Sequence, residues 1–98
     1  MKLTWSRHAL SQLVKRTALE ADEVLRYFAE SAAVLSREER NGVREYVIFS
    51  PLDRECFAIV IARDLQVVTI MPIKWRRIAP GFIDQARTLY RQKIEEAA

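Results

Sequence analysis

Apolar residues in the first thirty positions recur three and four apart, which is the spacing of one face of an α-helix. Ser6 is a favourable N-cap, so the pattern predicts a helix that begins at Arg7. A second helix is predicted over about Glu20–Glu30, because its acidic first turn suits the positive N-terminal end of a helix dipole. The preceding Lys2–Trp5 is either a short strand or an extended lead-in. The apolar stripe of the first helix consists of Leu10, Leu13 and Val14.

The period changes at residue 33 from that of helices to that of β-strands. Four short runs rich in Val, Ile and Phe follow one another, separated by brief polar breaks. These breaks leave no room for crossover helices, so the runs predict an antiparallel meander. The third run is apolar on both faces and is therefore expected at the centre of the sheet. The predicted strands are Ala33–Glu39, Val43–Ser50, Cys56–Ala62 and Val67–Met71, the last ended by Pro72.

The dipeptide Asn41-Gly42 marks the first hairpin. A two-residue loop would place Glu38 opposite Glu45, which is unfavourable because like charges repel across strands. A three-residue loop, 40–42, instead pairs Glu38 with Arg44 and places glycine at the left-handed position that such loops need. We therefore predict the three-residue loop.

The end of the chain returns to a helical pattern. Pro80-Gly81 interrupts the chain after a basic connector, Lys74–Arg77, and a final helix is predicted over about Phe82–Glu95. The 98 residues fit one domain, which we assign to residues 1–98. The predicted fold class is α+β, with two N-terminal helices, a four-stranded antiparallel meander and a C-terminal helix.

The charge distribution suggests which partners the chain could bind. The net charge is +3, residues 1–19 carry four cations and no acid, and twelve of the sixteen basic residues are arginine. Arginine binds phosphates and carboxylates bidentately, so a basic face would suit RNA, DNA or an acidic protein. The alternative is a solvated surface with many ion pairs.

Several kinds of protein are disfavoured by the composition. A single cysteine, Cys56, excludes an intramolecular disulfide framework and a multi-cysteine metal site, and we expect it to be a buried structural thiol. One histidine argues against a histidine-rich metal centre, so no metal or other cofactor is expected. No apolar run approaches the ~18 residues of a membrane helix, and the N-terminus lacks a secretory apolar core. A cytoplasmic protein without membrane association is expected.

Two segments carry a resemblance to a known family. The first is Ser6-Arg7-His8-Ala9 followed by Arg16, and the second is Val67–Pro72, which contains Val-Val-Thr. The chain resembles, over roughly residues 4–72, a family of small bacterial domains in which a His-Ala-x-x-Arg-x-x-x-Arg helix precedes a sheet ending in Val-Val-Thr. That family is similar to the RelE-type toxins and to the wider barnase–EndoU–colicin–RelE group of metal-independent ribonucleases. Gln12 stands where the pattern has its first arginine.

The resemblance implies cleavage of RNA by attack of the ribose 2′-hydroxyl, with RNA or the ribosome and an acidic antitoxin-like protein as partners. His8 would act on the proton, because imidazole titrates near neutral pH and a first helical turn favours its neutral form. Arg16 would stabilise the charged phosphorane, as would Arg44, and Thr69 would orient the phosphate. The structural alternatives are a surface histidine, an ordinary strand threonine and an ion pair between Arg44 and Glu38.

Nucleic-acid contacts are predicted at a second set of residues. Trp75 lies between cations, a composition suited to contacts with phosphates and bases, although it could equally pack into the core after Pro72. Tyr46 shares a strand face with Arg44 and would stack on a base. The full set is Lys15, Tyr46, Lys74, Arg76 and Arg77. The alternative function, motivated by Gln12, is a non-enzymatic protein-binding module: a toxin–antitoxin partner, a phage-encoded adaptor or a subunit that forms a homo-oligomer.

Overall fold

The computed structural model describes residues 2–39 and 41–97 and has the predicted α+β class. Helices α1 and α2 precede the meander and α3 follows it. The helices are α1 Arg7–Arg16, α2 Ala21–Ala29 and α3 Pro80–Tyr90, with a 3₁₀ turn at Ile73–Trp75 and a π-helical turn at Arg91–Glu95. The strands are β1 Thr4–Trp5, β2 Val34–Glu38, β3 Arg44–Ser50, β4 Glu55–Ile61 and β5 Gln66–Pro72.

Local capping chemistry sets where the helices begin, which is why the sequence predicts their starts well. The Ser6 hydroxyl accepts a hydrogen bond from the Ala9 amide at 3.1 Å, as expected of an N-cap. Glu20 caps α2 in a reciprocal capping box with Glu23. The final helix begins at Pro80, two residues before the predicted start at Phe82. Proline is tolerated in the first turn of a helix, because the amide hydrogen that it lacks would have no partner within the helix there.

The prediction of four antiparallel strands is wrong in one respect. The sheet has five strands in the order β1-β5-β4-β3-β2, and β1 pairs with β5 in parallel. The pairing covers two positions, and the Thr4 amide donates to the Leu65 carbonyl at 3.0 Å. A two-residue strand is too short to have a readable period, so the pattern left Lys2–Trp5 undecided.

The predicted register of the first hairpin is confirmed. Glu38 pairs with Arg44 and Arg37 with Glu45, and Gly42 adopts a left-handed φ of 80°. Opposite charges at neighbouring strand positions and a glycine in the loop thus select the same register. Arg40, the first residue of the predicted loop, lies outside the described residues.

The core consists of two apolar layers on opposite faces of the sheet. Because side chains alternate along a strand, Ile48 and Phe57 face the layer formed with α1 and α2, while Val47 and Cys56 pack with Ala86 of α3. The prediction that β4 is central is confirmed, since its residues from Cys56 onward are buried. Burial raises the pKa of the Cys56 thiol, as expected of a structural cysteine. No helix in residues 2–39 and 41–97 has both the length and the apolar character needed to cross a membrane.

Candidate functional site

The outer edge of β5 is where α1 meets the sheet, because β1 pairs with β5 only at Gln66 and Val67. Further along β5, side chains of α1 take the place of a neighbouring strand. Gln12 Oε1 accepts hydrogen bonds from the Thr69 hydroxyl at 2.5 Å and from the Ile70 amide at 3.4 Å. Arg16 Nη1 donates to the Ile70 carbonyl at 2.8 Å. Two α1 side chains therefore satisfy the outward-facing amide and carbonyl of Ile70 at this strand edge.

These contacts also orient the side chains of Gln12 and His8. The Ile70 amide can only donate, so the Gln12 oxygen must face it and the Gln12 amide nitrogen faces His8. That nitrogen lies 2.5 Å from His8 Nε2 and is a donor, so Nε2 accepts and the ring proton resides on Nδ1. His8 is exposed, so in this arrangement its Nδ1–H is available to a ligand.

Trp75 lies beside the same group rather than in the core, so the core-packing alternative is wrong. The Arg16 guanidinium carbon is 4.9 Å from the centroid of the Trp75 ring, a cation–π contact, and the tryptophan remains 56% exposed. It terminates the 3₁₀ turn that follows Pro72. Two further cations, Lys15 and Lys74, are exposed and adjoin Arg16 and Trp75 in sequence.

The structure therefore brings three of the four predicted catalytic residues together. His8 and Thr69 are joined through Gln12, and Arg16 lies on the next helical turn. We call this patch the α1–β5 surface and define it by His8, Lys15, Arg16, Thr69 and Trp75. Sequence reasoning treated Gln12 only as a departure from the family pattern. Its position one helical turn from His8 was the available signal that the two side chains are in contact.

Arg44 and Tyr46 are elsewhere on the sheet. Tyr46 on β3 is paired with Ile59 on β4, which is paired in turn with Ile70 on β5. The backbones of β3 and β5 are therefore two strand spacings apart, a total of about 10 Å. The Tyr46 ring packs edge-on against Phe28 with centroids 4.8 Å apart. Arg44 forms the alternative cross-strand ion pair with Glu38, at 3.1 Å. A hydrogen bond donated by Arg44 to the Tyr46 hydroxyl, and then the Glu38 carboxylate, raise the pKa of Arg44.

Arg76 is engaged by carboxylates. Its Nε lies 2.6 Å from Glu45 Oε2, and its Nη2 lies 3.3 Å from Glu39 Oε1. Glu45 is only 1% exposed, although a charged residue would be expected at the surface. The sequence contained a signal for the burial of Glu45, because residues two apart on a strand share a face and Val47 of β3 is buried.

Arg77 is exposed, and its backbone carbonyl accepts a hydrogen bond from Arg37 Nη2 at 3.4 Å. Its side chain forms no ion pair with a carboxylate in residues 2–39 and 41–97.

Within residues 2–39 and 41–97, no three His, Cys, Asp or Glu side chains are grouped as metal ligands would be. Comparison of the chain with protein-family models, with curated proteins and with solved structures gives no match.

Proposed function

We propose that this protein binds single-stranded RNA at the α1–β5 surface. The observation that carries the proposal is the exposed Trp75 ring held against Arg16, immediately beside the hydrogen-bonded chain from His8 to Thr69. An exposed indole next to a guanidinium is suited to a stacked base and the adjoining phosphate. Because every base has a π-face, such binding would depend little on sequence.

Each residue of the surface has a distinct role in this proposal. Trp75 stacks on a base with the face not covered by Arg16. Arg16 uses one nitrogen on the Ile70 carbonyl, and its other N–H groups are donors for a phosphate. His8 donates its Nδ1–H to a phosphate oxygen, while the exposed Lys15 and Lys74 attract neighbouring phosphates.

The binding experiment measures fluorescence anisotropy of a labelled single-stranded RNA at several salt concentrations. Trp75→Ala is expected to weaken binding by about 1–3 kcal/mol, or about 5- to 150-fold in Kd, which is the usual contribution of one stacked base. Lys15→Met and Lys74→Met should each reduce the slope of log K against log salt by about 0.7, as expected for one phosphate contact on a single strand.

Leu52→Ala is the matched control, because Leu52 is 78% exposed in the loop between β3 and β4. Its RNA affinity should equal that of the wild type. Equal affinities of the Trp75→Ala variant and the wild type, or an affinity that does not depend on salt, would overturn the proposal.

Cleavage of the bound RNA is the second candidate function, supported by an imidazole, a guanidinium and a hydroxyl in one connected group. A general base needs a free ring lone pair, whereas Gln12 occupies that of Nε2. Cleavage at this surface therefore requires the His8 ring to turn away from Gln12 when RNA binds.

The cleavage assay uses the same RNA in the presence of EDTA, with analysis for 2′,3′-cyclic phosphate ends. His8→Ala, purified identically, should be inactive, and RNA carrying a 2′-deoxy sugar at the cleaved position should be resistant. Equal cleavage by the His8→Ala variant, or no cleavage by either protein, would reject a catalytic role for His8 and leave the binding proposal standing.

A further inference from the structure

A cavity of about 350 Å³ lies at the other end of the sheet, between the β2–β3 hairpin and the turn that follows β4. Leu65, on the cavity wall, directly precedes β5 and is four residues from Thr69, which corresponds to about 13 Å in a strand. We call this space the hairpin cavity. The lining residues that matter here are Gly42, Arg44, Tyr46, Ile61, Arg63 and Leu65.

One part of the hairpin cavity is apolar. Ile61 is 4% exposed, and the half-buried Tyr46 adds an aromatic ring. Leu65 lies on the wall with a φ of 65°, a left-handed conformation that is uncommon for a bulky residue. Its backbone is held on both sides, because its amide donates to Ala62 and its carbonyl accepts from Thr4. The fold thus maintains a strained leucine at the cavity wall, and such strain persists where the surrounding structure enforces it.

The charges around the hairpin cavity leave one cation unmatched. Glu38 is paired with Arg44 at 3.1 Å, and Glu39 with Arg76 at 3.3 Å. Arg63 forms no ion pair with any carboxylate in residues 2–39 and 41–97.

Gly42 leaves room for the Arg63 side chain to lie close to the hairpin. A Cβ atom at position 42 would come within 2.6 Å of Arg63 Nε, so only glycine allows the side chain to lie this near the backbone. The exposed Arg63 side chain thus lies along the hairpin and forms part of the cavity wall.

We propose that the hairpin cavity binds a small organic monoanion. A carboxylate of this ligand pairs with Arg63, and its flat apolar body lies against Ile61, Leu65 and Tyr46. The cavity holds roughly a dozen waters at about 30 Å³ each, so a ligand of about a dozen non-hydrogen atoms fits. Small-molecule sites typically combine apolar contacts with a charged group that fixes the orientation of the ligand, and here Ile61, Leu65 and Tyr46 supply the contacts while Arg63 supplies the charge. This inference does not depend on RNA binding.

The test is an NMR titration of the full chain with three probes. The first is 2-naphthoate, the second its neutral analogue 2-naphthamide, and the third inorganic phosphate, which has the charge without the apolar body. We expect 2-naphthoate to shift the amide signals of Gly42, Ile61 and Leu65, and to bind at least about tenfold more tightly than either other probe.

Arg63→Met should reduce the affinity for 2-naphthoate at least about tenfold while leaving that for 2-naphthamide unchanged, and Arg63→Lys should restore part of the loss. Arg54→Met is the matched control, since Arg54 is exposed in the loop at the opposite ends of β3 and β4. Trp75→Ala should bind 2-naphthoate like the wild type, which separates this site from the RNA surface.

Equal affinity for 2-naphthoate and 2-naphthamide would overturn the proposal. So would an Arg63→Met variant that keeps the wild-type spectrum and the wild-type affinity for 2-naphthoate. Signal shifts confined to the α1–β5 surface would overturn it as well.

Discussion

The ion pair between Glu45 and Arg76 should be one of the strongest single determinants of stability in this fold. Glu45 is 1% exposed, and Arg76 Nε lies 2.6 Å from its carboxylate. The other contact of that carboxylate is a long 3.5 Å hydrogen bond from Ser36. Arg76→Met keeps the length of the side chain but leaves a buried charge without a counter-ion. Breaking a buried pair in this way costs about 3–5 kcal/mol.

The contact of Arg76 with Glu39 adds little to this figure. The Glu39 side chain is 34% exposed, and partly solvated ion pairs contribute about 0–1 kcal/mol. A domain of this size is stable by about 5–15 kcal/mol in total, so Arg76→Met should remove a large fraction of that stability. At about 4–8 °C for each kcal/mol, Tm should fall by at least about 12 °C.

Urea unfolding followed by far-ultraviolet circular dichroism measures the loss. Arg77→Met is the matched control, because it removes a neighbouring exposed cation and should change stability by less than about 0.5 kcal/mol. Glu45→Leu combined with Arg76→Met removes both charges and should recover most of the loss. The Ser36 hydroxyl keeps a partner in that double variant, since it also donates to the Glu45 backbone carbonyl at 3.1 Å.

The reasoning would be refuted if Arg76→Met cost less than about 1 kcal/mol, or if the double variant were no more stable than Arg76→Met alone. RNA binding gives an independent test of the role of Arg76. If Arg76 acts by holding the connector that presents Trp75, its loss should weaken binding without changing the salt dependence. If it contacts a phosphate directly, the salt slope should fall by about 0.7.

Three further predictions concern the helices and their contacts. Ser6→Ala should cost about 1 kcal/mol in urea unfolding, because the Ala9 amide loses its cap; an unchanged midpoint would contradict this. Gln12→Leu should cost about 1–3 kcal/mol and accelerate hydrogen exchange at the Ile70 amide, which loses its acceptor; unaltered exchange would argue against the role of the glutamine. Burial, and then the neighbouring Tyr90, raise the pKa of Tyr27, so the folded state keeps this proton to higher pH than the unfolded state. The resulting stability is present below about pH 10 and is lost as pH rises further, so from about pH 9 to pH 11 Tyr27→Phe should lose less stability than the wild type in urea unfolding.

The sequence predicted contacts between residues that are close along the chain more accurately than contacts between distant residues. The start of α1 and the register of the first hairpin were predicted correctly, because the cap at Ser6 and the charges at Glu38 and Arg44 act between nearby residues. Strand β1 was left undecided, since its partner lies about sixty positions later in the chain. The core-packing alternative for Trp75 was wrong, because an aromatic residue after a strand fits either environment.

The candidate site shows the same division. The sequence singled out His8, Arg16 and Thr69; the structure joins His8 to Thr69 through Gln12 and places Arg16 on the backbone of the next residue, Ile70. Arg44 was grouped with them by residue type, but β4 separates its strand from β5. Arg76 was interpreted as a nucleic-acid contact because no local pattern reveals a carboxylate thirty-one residues away.

The order of the elements, their caps and the pairing of adjacent strands were determined by the sequence itself, because hydrophobic periodicity and short-range charge pairing are properties of neighbouring residues. The tertiary structure alone decided that α1 covers the edge of β5, that Gln12 orients the imidazole of His8 and that Arg76 neutralises a buried glutamate. Those outcomes depend on which polar and charged groups are desolvated, and which hydrogen-bond or ion-pair partners they meet, when distant segments of the chain pack together. Burial and partnership of that kind are fixed only once the chain is folded.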